Sequence, residues 1–560
     1  MEIPRIGVFI CQCGDVISQS VDISALVTYA RTLPDVKLVQ DNIKSCEGED
    51  RAKIVQSIAA NGLNCAVIAS CSPRTHEPLF RQVLEEAGLN PYMLEMVNLR
   101  EQCALVHREQ PEKATRKAKD LLRMAVFKAL FMEPLGMLSN TVVPAAMVIG
   151  AGIAGLTAAL SLANRGFHVT LVEREQALGG LLRRVAHLYP TGDSGQAFVK
   201  EKVNLVQDHP YITVLSGAQV REIKGAVGNY HVTVAVQGNE EQEIAVGAII
   251  VATGAQELKP TGLYGYNGET VITQGELEGM LARGLGGVDH PLRSVVMIQC
   301  VGARDAERPY CSRICCMTAI KNALLLRELD PKPQVYVLYR DLFTPGTTYE
   351  GLYRETRGHG VIFVQYLPES PPMVEGDRVT VFDELLGETL VLPYDLLVLS
   401  TPLVGQPDAA VLAQTLKIPV DRTGFFLEAH RKHRPLDFDT AGIFLCGSAY
   451  FPADVGESIT QAYGAAARAS ILLGASKVEI EPTVARVNQR LCTACGLCEA
   501  TCPYDAVKVT VVDQRRGTRA AQVDAFLCKG CGACVAGCRS RAIDLAGSTN
   551  EQILAMLEVL

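Results

Sequence analysis

Two cysteine runs near the C-terminus constrain this chain more than any other feature. The first is Cys492, Cys495, Cys498 and Cys502, followed by Pro503; the second is Cys528, Cys531, Cys534 and Cys538. In the C-x2-C-x2-C-x3-C spacing, three cysteines wrap one iron–sulfur cube in a tight loop and the fourth crosses to the neighbouring cube. One [4Fe–4S] cluster is therefore expected on Cys492, Cys495, Cys498 and Cys538, and another on Cys528, Cys531, Cys534 and Cys502. Gly496, Gly530 and Gly532 leave room for backbone amides to approach the sulfurs and tune their potential. A pair of zinc sites is the alternative, but zinc sites pair C-x-x-C units instead of running three cysteines this closely.

The rest of the chain must supply what such clusters exchange electrons with. At 560 residues it is too long for one core. It separates by pattern into an N-terminal α/β stretch (1–135), a long α/β region (145–475) and the cysteine-rich module (481–560), with a hinge-like segment at 133–144. Nineteen cysteines without a readable signal peptide argue for metal ligation over disulfides, and for the reducing cytoplasm. A net charge of −8 gives no electrostatic reason to expect nucleic acid. No apolar run reaches the roughly 18 residues of a membrane span.

Residues 146–160 (AMVIGAGIAGLTAAL) read as a strand, a G-x-G-x-x-G turn and a helix start. Gly150 permits the turn, Gly152 lets backbone approach a pyrophosphate, and Gly155 lets helix and strand pack. The helix N-terminus, with Ile153 and Ala154, then faces the anion. A second strand, 168–172, ends at Glu173 and Arg174, an acidic residue about 20 positions on being placed for ribose hydroxyls. Gly179-Gly180 and the ATG turn after residues 248–251, with Thr253 and Gly254, favour FAD over NAD. Residues 442–448 (GIFLCGS) stand where two-dinucleotide flavoproteins place a Gly-Asp near the ribityl chain; here they are Gly447 and Ser448.

Such flavoproteins carry a second G-x-G-x-x-G for NAD(P)H in an inserted domain, here about 265–400. The strand is present at 294–299, but the turn reads Cys300-Val301-Gly302-Ala303-Arg304 and then YCSRICC, before a helix at 317–328 and a strand at 334–339. The pyrophosphate glycines have given way to four cysteines. Cys311 and Cys315 are four apart, hence on one helical face. A cluster on Cys300, Cys311, Cys315 and Cys316 is expected where a nicotinamide would dock; four apolar core cysteines are the bland alternative. Near the N-terminus, Cys11, Cys13, Cys46, Cys71 and Cys103 fall at strand ends and turns, and four of the five are expected to hold a further cluster. Cys65 and Cys446 read as core, and Arg74 and His76 as structural or docking residues.

Taken in order, CQCG (11–14), ASCSPRTHEPLF (69–80), NLREQC (98–103), the flavin turn, YCSRICC (310–316) and the two C-terminal runs resemble the A subunit of heterodisulfide reductase and its homologues over essentially the whole chain. The resemblance implies a thioredoxin-reductase-like FAD-binding Rossmann core with an N-terminal α/β cluster domain and a C-terminal two-cluster ferredoxin domain. It implies an FAD that takes two electrons from a partner and can split them between high- and low-potential acceptors. It sets the cluster of Cys300, Cys311, Cys315 and Cys316 close to that flavin, and Lys321 near flavin N5; without it, Lys321 would read as a solvated helix lysine. The implied partners are B- and C-like subunits and a donor module (hydrogenase, formate dehydrogenase, NADH module or folate enzyme), around a homodimeric core. One departure stands out. Some members insert another ferredoxin domain soon after the Gly-Gly motif, whereas residues 181–199 run on without cysteine. A free-standing NAD(P)H-dependent reductase would need the missing second glycine turn, and a cluster scaffold with an inert flavin is the third reading.

Overall fold

The computed structural model describes residues 3–237, 240–284 and 292–560. They form two compact units: Met1–Ser139 joined with Glu479–Leu560, and Asn140–Val478.

In the first unit, β1 (Ile6–Cys11), β2 (Val36–Asn42), β3 (Cys65–Ser70) and β4 (Leu94–Asn98) make a parallel sheet of order β2-β1-β3-β4. Every residue of β1 and β3 is buried, the pattern of strands covered by helices on both faces. Those helices are α1 (Ile23–Ala30), α2 (Gly48–Ala60), α3 (Pro73–Glu86) and α4 (Pro111–Ala129). In α4 the buried residues Ala114, Ala118, Leu122, Ala125, Val126 and Ala129 recur at helical spacing, and Pro111 opens the helix where no N–H is needed.

In the second unit the elements that matter run β5 (Ala145–Ile149), α5 (Ile153–Ala163), β6 (His168–Glu173), β7 (Ile212–Ser216), β8 (Ala248–Val251), β9 (Val271–Thr273), α6 (Gln274–Leu281), β10 (Ser294–Ile298), α7 (Cys315–Leu329), β11 (Gln334–Tyr339), β12 (Ile362–Gln365), β13 (Leu396–Leu399), β14 (Ile443–Leu445) and α8 (Val455–Leu473). They build two five-stranded parallel sheets, β14-β8-β5-β6-β7 and β9-β13-β10-β11-β12. Each sheet has its dinucleotide-type corner at the carboxyl end of a central strand, β5 in one and β10 in the other, where open α/β sheets bind ligands. The helix expected at 317–328 begins two residues earlier, so Cys315 and Cys316 occupy its first turn.

The C-terminal part of the first unit folds as two short antiparallel pairs, Ala485–Val487 with Ile543–Leu545 and Val507–Asp513 with Thr518–Val523. Two five-residue helices, Leu497–Thr501 and Ala533–Gly537, each start after a left-handed glycine, Gly496 and Gly532. This module packs within the same unit as the N-terminal sheet. Arg81 and Tyr92 both bind the Glu481 carboxylate, and Gln552 donates to the Phe131 carbonyl oxygen at 2.9 Å.

Candidate functional site

Gly150 lies at φ +104, and a Cβ there would stand 2.4 Å from the Ala252 carbonyl oxygen. On Gly155 it would stand 1.8 Å from the Gly150 carbonyl oxygen, so only glycine lets α5 close onto β5. Gly152 caps α5, whose first residues Ile153 and Ala154 bring N–H groups with no helical partner. Gly179 and Gly180, both at positive φ, bring their loop back over this corner: a Cβ on Gly180 would lie 3.1 Å from Gly152 Cα, and one on Gly447 2.7 Å from Ala154 Cβ. The result is a cradle of bare backbone. In the same elements the hydroxyls of Thr157 and Thr253 are buried without a partner, although buried polar groups ordinarily find one. These residues fit an FAD. Glu173 accepts from the Ala151 amide at 2.7 Å, so its carboxylate braces the turn. Arg174 is engaged with Gln406 and Asp408, Gly254 follows the buried strand β8 at φ +67, and Ser448 turns its hydroxyl to the Ala453 carbonyl oxygen.

At the second corner the thiols converge. Cys300 sits at φ +62, a left-handed conformation that a non-glycine residue adopts only when its surroundings hold it there. Cys315 is held far above the usual thiol range by its hydrogen bond with Cys316 and by burial, with Cys300 and Cys311 close enough to add to the shift. Cys316, hydrogen-bonded by Cys315, is pulled down to about 7. Gln299, wholly buried next to Cys300, leaves both its amide atoms unpartnered. Four thiols and an unsatisfied amide fit a cluster better than an apolar core. Arg313, two residues after Cys311, pairs with Glu457 of α8 and lies over the rings of Phe343 and Phe451 at 5.7 and 5.3 Å. Glu457 and Asp454 form the capping box of α8, the helix that follows the Gly447 turn. The cysteine loop is thereby tied to the glycine cradle.

Lys321 is not a solvated lysine. It is 5% exposed on a helix buried almost all round, bound to the Glu278 carboxylate and donating to the His187 carbonyl oxygen at 2.8 Å. Burial pulls its ammonium below the usual lysine range, and Glu278 opposes that shift. Glu278 also accepts from the Ala186 amide at 2.9 Å.

In the N-terminal sheet, Cys11, Cys13, Cys46 and Cys71 gather at the carboxyl ends of β1, β2 and β3. The Cys11 sulfur accepts from the amides of Cys13 and Ser45 at 3.3 and 3.4 Å. Burial raises Cys46 and Cys71; Cys11 and Cys13 add to the first, and Cys13 to the second while Arg100 opposes. Arg100 donates to the Cys13 sulfur at 3.2 Å, and His76 stands 3.0 Å from that of Cys71. Cys103 does not join them: its thiol donates to the Ala114 carbonyl oxygen of α4 at 2.9 Å, inside the apolar core. Cys65 and Cys446 are fully buried, and burial pushes each up to about 12.

In the C-terminal module burial raises Cys534, and Cys528, Cys531 and Cys502 add to the shift, so the fourth cysteine of the first run lies with the second run. Cys498 likewise lies with Cys492 and Cys495. Amides of Ala521, Ala485, Ala506 and Ala542 donate to the sulfurs of Cys492, Cys528, Cys502 and Cys538 at 3.2–3.5 Å. Among the described residues no group of three His, Cys, Asp or Glu is arranged to hold a single metal ion. Sequence reasoning missed Glu278, Arg313, Arg100 and Gln299. For Lys321 the local pattern gave no signal, because Thr318, Lys321 and Asn322 fall on one helical face and read as a solvated polar stripe.

Residues 144–284 match the family described as pyridine nucleotide-disulphide oxidoreductase, and residues 491–548 the 4Fe-4S dicluster domain. The chain is 36% identical to the second iron–sulfur A subunit of the CoB–CoM heterodisulfide reductase of Methanopyrus kandleri, over 91% of this chain and 92% of that protein. It is 37% identical to the A subunit of the H(2):CoB-CoM heterodisulfide,ferredoxin reductase of Methanothermobacter thermautotrophicus, over 91% of each. These alignments run to 604 and 602 positions against a chain of 560 residues, so the relatives carry segments with no counterpart here. Among solved structures, the thioredoxin reductase of T. acidophilum is similar over 59% of this chain and 96% of its own, at 17% identity and a TM-score of 0.41. Among the described residues no helix is long and apolar enough to cross a membrane.

Proposed function

The chain belongs to the family of heterodisulfide reductase A subunits, and from that premise we propose that it is an FAD- and [4Fe–4S]-carrying oxidoreductase subunit passing electrons between a donor module and a disulfide or other acceptor subunit. One observation carries the reading: the corner that would seat a nicotinamide dinucleotide holds four converging thiols instead, tied through Arg313 and Glu457 to the helix behind the Gly447 turn. Bound FAD supplies exchange between two-electron and one-electron chemistry, and clusters supply one-electron relays.

The chain's own part is to bind and place these groups. Gly150, Gly152, Gly155, Gly179, Gly180 and Gly447 would admit the dinucleotide, with Thr157 and Thr253 as unsatisfied hydroxyls beside it. Cys300, Cys311, Cys315 and Cys316 would hold one cluster, Cys11, Cys13, Cys46 and Cys71 another, and the C-terminal runs two more, paired as their spacing implies. Lys321 is the group we place beside flavin N5, where its ammonium would donate a hydrogen bond and favour negative charge. Glu278 would hold it in position. B- and C-like subunits, a hydrogenase, formate dehydrogenase, NADH or folate donor module, a homodimeric core and a cytoplasmic setting complete the proposal. A low-potential acceptor, if electrons are split, would come from a partner.

Anaerobic spectroscopy tests this. Dithionite should bleach both flavin and iron–sulfur absorbance of the purified chain, whereas NADH and NADPH should leave the flavin oxidised. Rapid bleaching by NADPH alone would overturn the reading.

A further inference from the structure

In the second unit the surface opens into a cleft of about 520 Å³. One wall is the turn Gly180–Arg184, which contributes Arg183 and Arg184; the other is α6, which contributes Gly279 and Met280, with Arg283 in the turn just after it. On a chain of net charge −8, three guanidinium groups around one opening reverse the prevailing sign. Arg183 is paired with Glu175, and Glu276 of the same cleft with Lys259. Arg184 and Arg283 are exposed, and among the described residues neither has an acidic partner. The Arg283 guanidinium lies 3.8 Å from where a Gly279 Cβ would stand, so it lies back along a bare stretch of α6. Leu181, 43% exposed on the same turn, adds apolar surface beside the arginines. Arginine with an exposed apolar neighbour is the composition of a protein-binding surface.

What stands behind the cleft gives it a purpose. Its first wall begins at Gly180, which packs on Gly152 of the flavin cradle. Its second wall, α6, carries Glu278, which holds Lys321 and the Ala186 amide. One turn and one helix therefore separate this surface from the groups placed around the flavin.

We propose that this cleft docks a small acidic one-electron carrier protein, whose surface carboxylates meet Arg184 and Arg283. The proposal rests on the electron-transfer reading above. The exposed guanidinium groups of Arg184 and Arg283 come from separate elements, which suits a convex face with spaced carboxylates better than one phosphate. Each encounter moves one electron: the carrier's iron centre is oxidised by one, the chain's bound cofactors are reduced by one, and no bond is made or broken. The reverse transfer balances in the same way.

The test uses the purified, cofactor-loaded full chain and an acidic 2[4Fe–4S] ferredoxin as probe. Binding of the oxidised probe is measured calorimetrically across a salt series, and reduction by the reduced probe in a stopped-flow instrument. The wild type should bind at low salt and lose affinity steeply towards about 0.5 M salt, where exposed charges are screened. Arg184→Glu with Arg283→Glu should lower both affinity and reduction rate at low salt by about tenfold or more, and the milder Arg184→Gln with Arg283→Gln by less. Reduction by dithionite should stay at the wild-type level in every variant. No binding by the wild type, or equal affinity and salt slope in wild type and variants, overturns the docking proposal. So does binding of inorganic phosphate that the variants abolish while probe binding is kept, which would assign the cleft to a small anion. Should dithionite fail to bleach the wild type, the electron-transfer reading falls with it; bleaching without probe binding sinks the docking site alone.

Discussion

The second unit contains the same corner twice, a central parallel strand, a turn and a helix, with opposite chemistry in the two turns. At β5 the turn is emptied: Gly150 and Gly155 keep clear of the Ala252 and Gly150 carbonyl oxygens so that turn and helix can close, and Gly152 leaves the backbone bare towards a pyrophosphate. At β10 the turn is filled, with Cys300 held at φ +62 and Cys315 and Cys316 brought in by the first turn of α7. Backbone topology thus sets where a group can bind, and the turn residues set which group. Bare amides suit a phosphate; converging thiols suit iron.

The largest expected effect comes from spoiling the empty corner. Gly155→Ala would put a Cβ where the Gly150 carbonyl oxygen stands, and should cost about 3 kcal/mol or more and yield flavin-free protein. Denaturant unfolding and the flavin spectrum read it out. A stable, flavin-loaded Gly155→Ala protein would mean that the corner does not need to be bare.

Next in size is Lys321, which lies behind the filled corner. Lys321→Ala strands the Glu278 carboxylate in the interior and should cost about 3 kcal/mol, with the flavin still bound. Lys321→Met with Glu278→Leu should restore most of that stability, and the flavin midpoint should still be displaced from wild type. A loss of only a few tenths of a kcal/mol in the single variant would return Lys321 to the solvent. An unmoved midpoint in the double variant would remove it from the flavin.

The smallest effect sharpens the same contrast in the N-terminal sheet. Cys103→Ser changes a core thiol and should leave iron content at the wild-type level, with a stability loss of about 1–2 kcal/mol. Cys71→Ser should remove about four iron atoms per chain. Iron analysis separates them, and iron loss in Cys103→Ser would put the wrong four cysteines together.

Much of this was legible without coordinates because the decisive signals are local. Spacing alone marks the C-terminal runs and the glycine corner, and the continuous apolar runs at β1, β5, β8 and β10 read directly as buried parallel strands. Other features depend on distant partners. Glu278 meets Lys321 across 43 residues and Arg313 meets Glu457 across 144, and no local pattern announces either pair. The five N-terminal cysteines look alike in sequence. They divide only when the turn after β4 aims Cys103 at α4 and not at Cys11, Cys13, Cys46 and Cys71. Three stretches of composition likewise conceal two units, since contacts such as Arg81 with Glu481 join ends 400 residues apart.

The central claim is that the second corner exchanged a nucleotide for a cluster, and counting iron tests it most directly. Iron and acid-labile sulfide should each approach about 16 per flavin in the wild-type chain, for four cubes. Cys315→Ala with Cys316→Ala should lower both by about four while leaving one flavin per chain, because the glycine corner is untouched. Iron and sulfide unchanged in that double variant, with flavin retained, would contradict the account.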